Sequence, residues 1–339
     1  MKNLYHLSSR LLKMAEKRNV NIDALRTLMM LLIVSLHMSS VVYDIHALRL
    51  QQGCVSSSIL VGLRSIMFMG VSCFAFISGY FGVKFDLSKL LKYEVMAISM
   101  GLVNLMVFIF IAGSITLRQT VSFLMPFSSQ TCWYLNAYFL LLLVAPFVNE
   151  GVKKIEKNKF LILIGLLTVS CYGIDFLYRR DGTNFFIIFI IYLIGRYVRM
   201  NIPKFFFEKA KYFFAVALLS QFTLVFLCNY LGWTRVEEML ENNHNPLLII
   251  ASIGLFLWLL KHEKQNIFFV QLSKIAPYMF AVYVFHVELL SFFPREHFVF
   301  FESSMVNFFG GILFIFILSV LVAFLQNLFF EMVKRRLVK

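Results

Sequence analysis

Residues 18–40 read RNVNIDALRTLMMLLIVSLHMSS. From Ile22 onward the run is apolar for about the 20 residues a helix needs to cross a bilayer. It is continuous rather than alternating, which excludes a membrane β-strand. Nine further apolar runs accompany this first one, which covers 22–43: 57–80, 92–113, 133–149, 160–178, 184–199, 211–232, 246–261, 275–293 and 304–330. Between them lie charged and turn-forming stretches such as KFDLSKLLK, NEGVKKIEKNK and RMNIPKFFFEKAK. None is long enough for a separate soluble domain. The expected fold is therefore all-α, a polytopic transmembrane helical bundle of about ten spans. The expected organisation is a basic segment over 1–21, an integral membrane domain over 22–330 and a basic tail over 331–339.

Composition agrees with this reading. Hydrophobic residues make up 60% of the 339-residue chain and charged residues only 15%, against about 25% charged in a soluble domain. Such a chain cannot cover a water-facing surface, so a soluble enzyme, a disordered segment and a disulfide scaffold are excluded. The net charge of +14 would suit nucleic acid, but the basic residues sort by side. With the N-terminus in the cytoplasm, 24 of the 32 Lys and Arg fall on the cytoplasmic side and six on the outer side. That is the positive-inside pattern of a membrane protein, and it accounts for the charge without a nucleic-acid partner. Both termini are expected in the cytoplasm. Arg179 and Arg180 run against the pattern; they read either as a loop pair balanced by Asp175 and Asp181 or as contacts for an anion. The first span is full length and lacks a small-residue cleavage site, so it reads as a retained anchor. The five cysteines have no metal-ligand spacing, and no metal is expected. Cys54 and Cys132 would share the outer side, where either a disulfide or burial as small hydrophobes is open to them.

Within the first span, Asp23, Arg26 and His37 interrupt an otherwise apolar helix, and ionisable groups there are functional candidates by default. Arg26 and His37 are 11 residues apart, three helical turns plus about 20°, so they share one face about 16 Å apart along the axis. Asp23 lies three residues before Arg26, within pairing reach. A guanidinium can grip phosphate through two parallel hydrogen bonds, and a neutral imidazole can take a proton near pH 7. Acyl-coenzyme A has phosphates at one end and a thioester at the far end of a long arm, matching such a stripe. The alternative is that Arg26 snorkels to the interface and His37 bonds a neighbouring helix.

The run IDALRTLMMLLIVSLH, residues 22–37, resembles the first-span signature of the acyltransferase 3 family: Arg, ten residues, then His, with an Asp three residues before the Arg. Three later stretches are similar to that family's marks in the same order: GVSCFAFISGYFG at 70–82, TCWYLNAYFLLLLVAPFVN at 131–149 and YMFAVYVFHVELL at 278–290. The resemblance implies a bacterial multi-pass inner-membrane enzyme that moves an acyl group, acetyl foremost, from acyl-coenzyme A to a hydroxyl of a surface polysaccharide or its lipid-linked sugar precursor. In that reading His37 is the general base, and Arg26, Asp23, Lys89 and Lys92 hold the donor. One departure stands out: family members often carry arginines after the second span, where this chain has Lys84, Lys89, Lys92 and Glu94. Lysine acts on phosphate as a point charge, without the guanidinium fork.

Ser78, Trp133, Tyr134, Tyr283 and His286 are candidate acceptor or donor contacts, each with a plainer reading. Ser78–Gly79 offers a hydroxyl beside the stripe or small-residue helix packing. Trp133 and Tyr134 offer a sugar-stacking surface or an interfacial belt. Tyr283 and His286 share a helix face, as substrate contacts or as structural groups, and Glu288 points elsewhere on that helix. Asn243, His244, Asn245 and Pro246 read as a turn and a helix start. A transporter of a polar or lipid-linked glycan is the competing function, and the six prolines, all near expected span ends, weigh against a rocking carrier with broken helices.

Overall fold

The computed structural model describes residues 19–125, 132–178, 185–262, 266–292 and 301–337, and they are helical throughout apart from short connections. Helix α1 spans Val20–Val42, α2 Ile45–Leu50, α3 Val55–Met67, α4 Met69–Phe81, α5 Leu87–Ala112, α6 Leu117–Leu124, α7 Trp133–Lys153 and α8 Lys157–Tyr178. Then follow α9 Phe185–Asn201, α10 Lys204–Glu208, α11 Ala210–Tyr230, α12 Thr234–Leu240, α13 Pro246–Lys261, α14 Ile267–Ile275, α15 Met279–Phe292 and α16 Ser304–Leu337. The described residues of each of the ten apolar runs are mainly helical. Among the described residues seven segments are long and apolar enough to cross a membrane: Val20–Val42, Val55–Phe81, Leu90–Ile111, Trp133–Lys153, Ala210–Tyr230, Ile267–Leu290 and Ser304–Val333. Pro246–Lys261 is a shorter apolar helix. The chain is thus a multi-pass membrane protein.

Local signals set the helix ends. Asn19 caps α1, its side-chain oxygen accepting from the Asn21 and Ile22 amides at 3.0 and 3.3 Å, and Asp23 in the first turn complements the helix dipole. Asn245 caps α13 with Pro246 in its first turn, the arrangement in which proline's missing amide costs nothing. Gly82 ends α4 at φ +73, a left-handed conformation that glycine adopts without a Cβ clash.

Two spans depart from the sequence expectation. The span expected at 275–293 begins at Ile267 and contains a 3-10 turn over Ala276–Tyr278. Pro277 in that turn and Pro146 inside α7 therefore lie within spans, so the argument that prolines mark only span ends fails for these two. Pro126 and Pro294 lie outside the described residues, as do Arg179, Arg180 and Asp181.

Helix α1 is the hub. It packs against α3, α4, α13, α14, α15 and α16, and its buried residues lie all round its circumference, as expected of a core helix. Ile33, Val34, Phe76, Phe256 and Phe285 belong to the one large core around it. Helices α4 and α9 meet at backbone contact. A methyl group on Gly79 would lie 2.2 Å from the Tyr192 carbonyl oxygen, and one on Gly195 would lie 2.6 Å from that of Phe76. The outer helices expose apolar side chains instead: Leu166 and Val169 on α8, Phe309, Phe314 and Ile317 on α16. A broad exposed apolar surface of this kind suits lipid.

The bundle has two chemically different ends. At one, Asn21 Nδ2 donates to the Leu259 and His262 carbonyls, Asn149 Nδ2 donates to the Val83 carbonyl, and the Tyr192 hydroxyl donates to Asn149. Lys84, Lys153 and Lys204 belong to this end, which we term the basic end. At the other, Arg49, Arg64, Glu237 and Glu241 meet.

A candidate active site in the centre of the bundle

The basic end opens into the protein. A cavity of about 630 Å³ is walled by α1, α4, α5, α7 and the α14–α15 segment, within the range of small-ligand sites. It joins a hollow of about 320 Å³ at the mouth, beside Lys84 and Asp86. Arg26, Ile77, Ser78, Tyr93 and Tyr138 line both. Asp23, buried at the wall, accepts from Arg26 Nη1 at 2.7 Å. That contact fixes one edge of the guanidinium, while the Arg26 side chain remains about a third exposed to the opening.

Arg26, Met30 and Ile33 all face this cavity, at the i, i+4, i+7 spacing of a single helix face. The next position on that face is His37. Its ring meets His286 edge-on, with centroids 5.4 Å apart, so the imidazole is turned into the bundle and not toward lipid. The cavity ends at Ile33 and Tyr283, one helical turn short of both imidazoles. A row of rings bridges that turn. Tyr138 stacks on Tyr134, Tyr134 meets Tyr283 at 5.9 Å, and Tyr283 meets His286 at 5.9 Å. His286 is fully buried, with Nδ1 at 2.7 Å from the Val282 carbonyl.

The sequence candidates thus divide. Asp23, Arg26, Ser78, Tyr134 and Tyr283 line the cavity, and His37 and His286 lie one helical turn beyond its deep end. Trp133 contacts Tyr134 edge-to-face but is not on the cavity wall. Lys92 is exposed and also off the wall, and the side chain of Lys89 lies outside the described part. Among the described side chains, Lys84 is the lysine that reaches the mouth. Ser78 donates its hydroxyl hydrogen to the Phe74 carbonyl at 2.9 Å, so it offers the cavity lone pairs and no donor. Its neighbour Gly79 is the packing residue at the α4–α9 seam.

Sequence reasoning missed Tyr93, Tyr138 and Phe280 on the wall, since an aromatic in a span has no distinguishing local signal. It also missed Arg196. A methyl group on Gly82, which lines the mouth, would lie 2.6 Å from Arg196 Nη1, so a guanidinium stands close behind the lysine-containing connection. Glu288 is buried on the far side of α15, accepting from Asn104 Nδ2 at 2.8 Å, and makes no dyad with His286.

The family model for the acyltransferase 3 domain matches residues 19–326. No curated protein and no solved structure matches the chain.

Proposed function

Since the chain belongs to the acyltransferase 3 family and is a multi-pass membrane acyltransferase, we propose that it moves an acyl group, acetyl foremost, from acyl-coenzyme A to a sugar hydroxyl of a surface polysaccharide or its lipid-linked precursor. The observation that carries this reading is the cavity that opens beside Arg26 at the basic end and runs to one turn below His37. A donor entering from that end places its phosphates at Arg26 and Lys84, with Arg196 close behind, and these guanidinium groups supply the fork that lysine lacks. The arm lies between Tyr93, Tyr138 and Phe280. The thioester reaches toward His37, about 16 Å from Arg26 along the helix.

His37 acts as general base. It takes the proton of the acceptor hydroxyl as that oxygen attacks the thioester carbonyl, and returns it to the departing thiolate. With Ser78 committed to Phe74, the developing oxyanion is left to other donors. The basic end faces the cytoplasm, as the charge distribution suggests, in a bacterial inner membrane.

The test uses membranes containing the full chain, radiolabelled acetyl-coenzyme A and extracted glycan. The expected result is label on the glycan with the wild type and a loss of about 10²–10⁴-fold with His37→Gln, the usual weight of a general base. Wild-type transfer by His37→Gln and His37→Ala would overturn the mechanism.

A further inference from the structure

The end of the bundle opposite the lysines holds a buried ionic cluster that the donor has no use for. Glu241 Oε2 accepts from Arg49 Nη2 at 2.5 Å and from Arg64 Nη1 at 2.7 Å. Arg49 Nε donates to Glu237 Oε1 at 2.8 Å, and Asn229 Nδ2 donates to Glu237 Oε2 at 3.1 Å. Arg49 Nη1 also lies 3.5 Å from Oε1 of the exposed Glu238, so two guanidinium groups meet two buried carboxylates and one exposed one, drawn from three separate stretches of chain. Buried charges persist where they are paired and hydrogen-bonded.

The pairing is incomplete in one place. Arg64 Nε and Glu241 Oε1 are buried and have no hydrogen-bond partner among the described residues. Leaving such groups unmade costs about 1–3 kcal/mol each, so the pair is poised for something that supplies both a donor and an acceptor. A hydroxyl does both. It can accept from Arg64 Nε–H while donating to Glu241 Oε1. Asn242 Oδ1 and Asn243 Oδ1, next in the chain and likewise buried, also have no partner among the described residues. Arg64 Nε is thus an unmade cationic donor, and Glu241 Oε1 and the two adjacent Asn Oδ1 atoms are unmade acceptors, the mixed chemistry that a polyhydroxyl compound satisfies. A hydrocarbon would satisfy none of them, and an anion would be repelled by the carboxylate.

The position of the cluster relative to the imidazole gives it a role. Arg64 Nη2 lies 3.4 Å from Ser40 Oγ, and Ser40 follows His37 by three residues on α1, about 4.5 Å of helical rise. Arg26, Met30, Ile33, His37 and Ser40 fall on one face. The donor cavity reaches this face from below His37, and the ionic cluster touches it from above.

The geometry points to Arg64, Glu241, Asn242 and Asn243 as the acceptor subsite, holding a carbohydrate through its hydroxyls on the side of His37 opposite the donor. This rests on the acyltransferase reading. The reaction balances without further reagents. The acceptor O–H proton passes to His37, a C–O bond forms as the C–S bond of the thioester breaks, and the imidazolium proton passes to the sulfur. The products are an ester and free coenzyme A.

The test uses the full chain in lipid nanodiscs. Asn242→Ala and Asn243→Ala remove acceptors that bond nothing within the protein, so neither breaks an internal pair. Each is expected to raise the acceptor KM at least tenfold, leaving the acyl-coenzyme A KM and the thermal midpoint as in the wild type. An unchanged acceptor KM in both variants, or a donor KM that rises equally, would overturn the subsite. Hydrogen exchange of residues 40–68 and 234–245 with a panel of methyl glycosides of common hexoses, deoxyhexoses and N-acetylhexosamines gives a readout free of chemistry. Protection in the wild type that disappears in Glu241→Gln supports the subsite; no protection by any glycoside sinks it. If the wild type transfers no acyl group yet shows this protection, the acyltransferase mechanism falls and the carbohydrate site stands.

Discussion

His37 and His286 meet edge-to-face at the centre of the bundle, their planes inclined at 68°. Nδ1 of His286 lies 2.7 Å from the Val282 carbonyl, and a carbonyl can only accept. Nδ1 therefore carries the hydrogen of the neutral ring, and Nε2 keeps a lone pair. That nitrogen is buried without a partner among the described residues. The pair thus sets an imidazole one helical turn beyond the cavity against a second one whose tautomer the backbone fixes.

This coupling separates the two histidines in a kinetic experiment. His286→Gln should lower kcat by about tenfold or more and leave the acyl-coenzyme A KM unchanged, because His286 is not on the cavity wall. His37→Gln should cost the larger factor given above. Equal loss in donor KM with His286→Gln would mean that the ring supports the cavity instead.

At the mouth, Arg26 should matter for binding more than for turnover. Losing a charge-assisted contact costs about 1.5–3 kcal/mol, so Arg26→Gln should raise the donor KM by roughly 10–100-fold with a smaller change in kcat. Arg26→Lys should recover only part, since the fork is lost. Titration of the purified variants with desulfo-coenzyme A checks this without turnover.

The thiol of Cys54 provides a test of sidedness. Hydrogen bonds from Ser56 and Ser57 lower it to about 7, and it stands free at the start of α3, whereas Cys73, Cys132, Cys171 and Cys228 are buried. Cys54 is thus neither disulfide-bonded nor buried, whereas Cys132 is buried. A membrane-impermeant maleimide at pH 7.5 should label one cysteine in right-side-out vesicles, and Cys54→Ser should abolish the signal. Labelling confined to inside-out vesicles would reverse the orientation drawn from the charges.

Burial holds the His244 imidazole down at about 4, below its ordinary 6.5. The unfolded chain takes up this proton near 6.5 and the folded chain only near 4. Stability is therefore complete above 6.5 and declines as the pH falls through that window, by about 3 kcal/mol at most. The thermal midpoint in detergent should drop between pH 6.5 and 4.5. His244→Asn should flatten that dependence; an unaltered slope would place its origin elsewhere.

What the sequence made legible was what repeats along one helix. The apolar runs marked the helices, Asn245–Pro246 marked a helix start, and the Arg26–His37 spacing placed both groups on one face of α1, which the structure turns inward. Contacts between distant segments were not legible. Arg64 reads as a stray cation in a span until α12 brings Glu241 to it, 177 residues away in the chain. Tyr93 and Tyr138 are ordinary span aromatics until α5 and α7 bring them to the cavity wall that α4 also lines. The 3-10 turn at Pro277 was hidden because a proline near the start of an apolar run reads as its boundary.

The seam between Gly79 and Gly195 has a consequence for the mouth of the cavity. Where two backbones touch with no side chains between them, there is no slack to yield, and even one added methyl would jam the joint. That flank of the doorway is a fixed jamb. The facing flank is built differently, with the helical ladder interrupted by the 3-10 turn at Ala276–Tyr278 on the cavity wall.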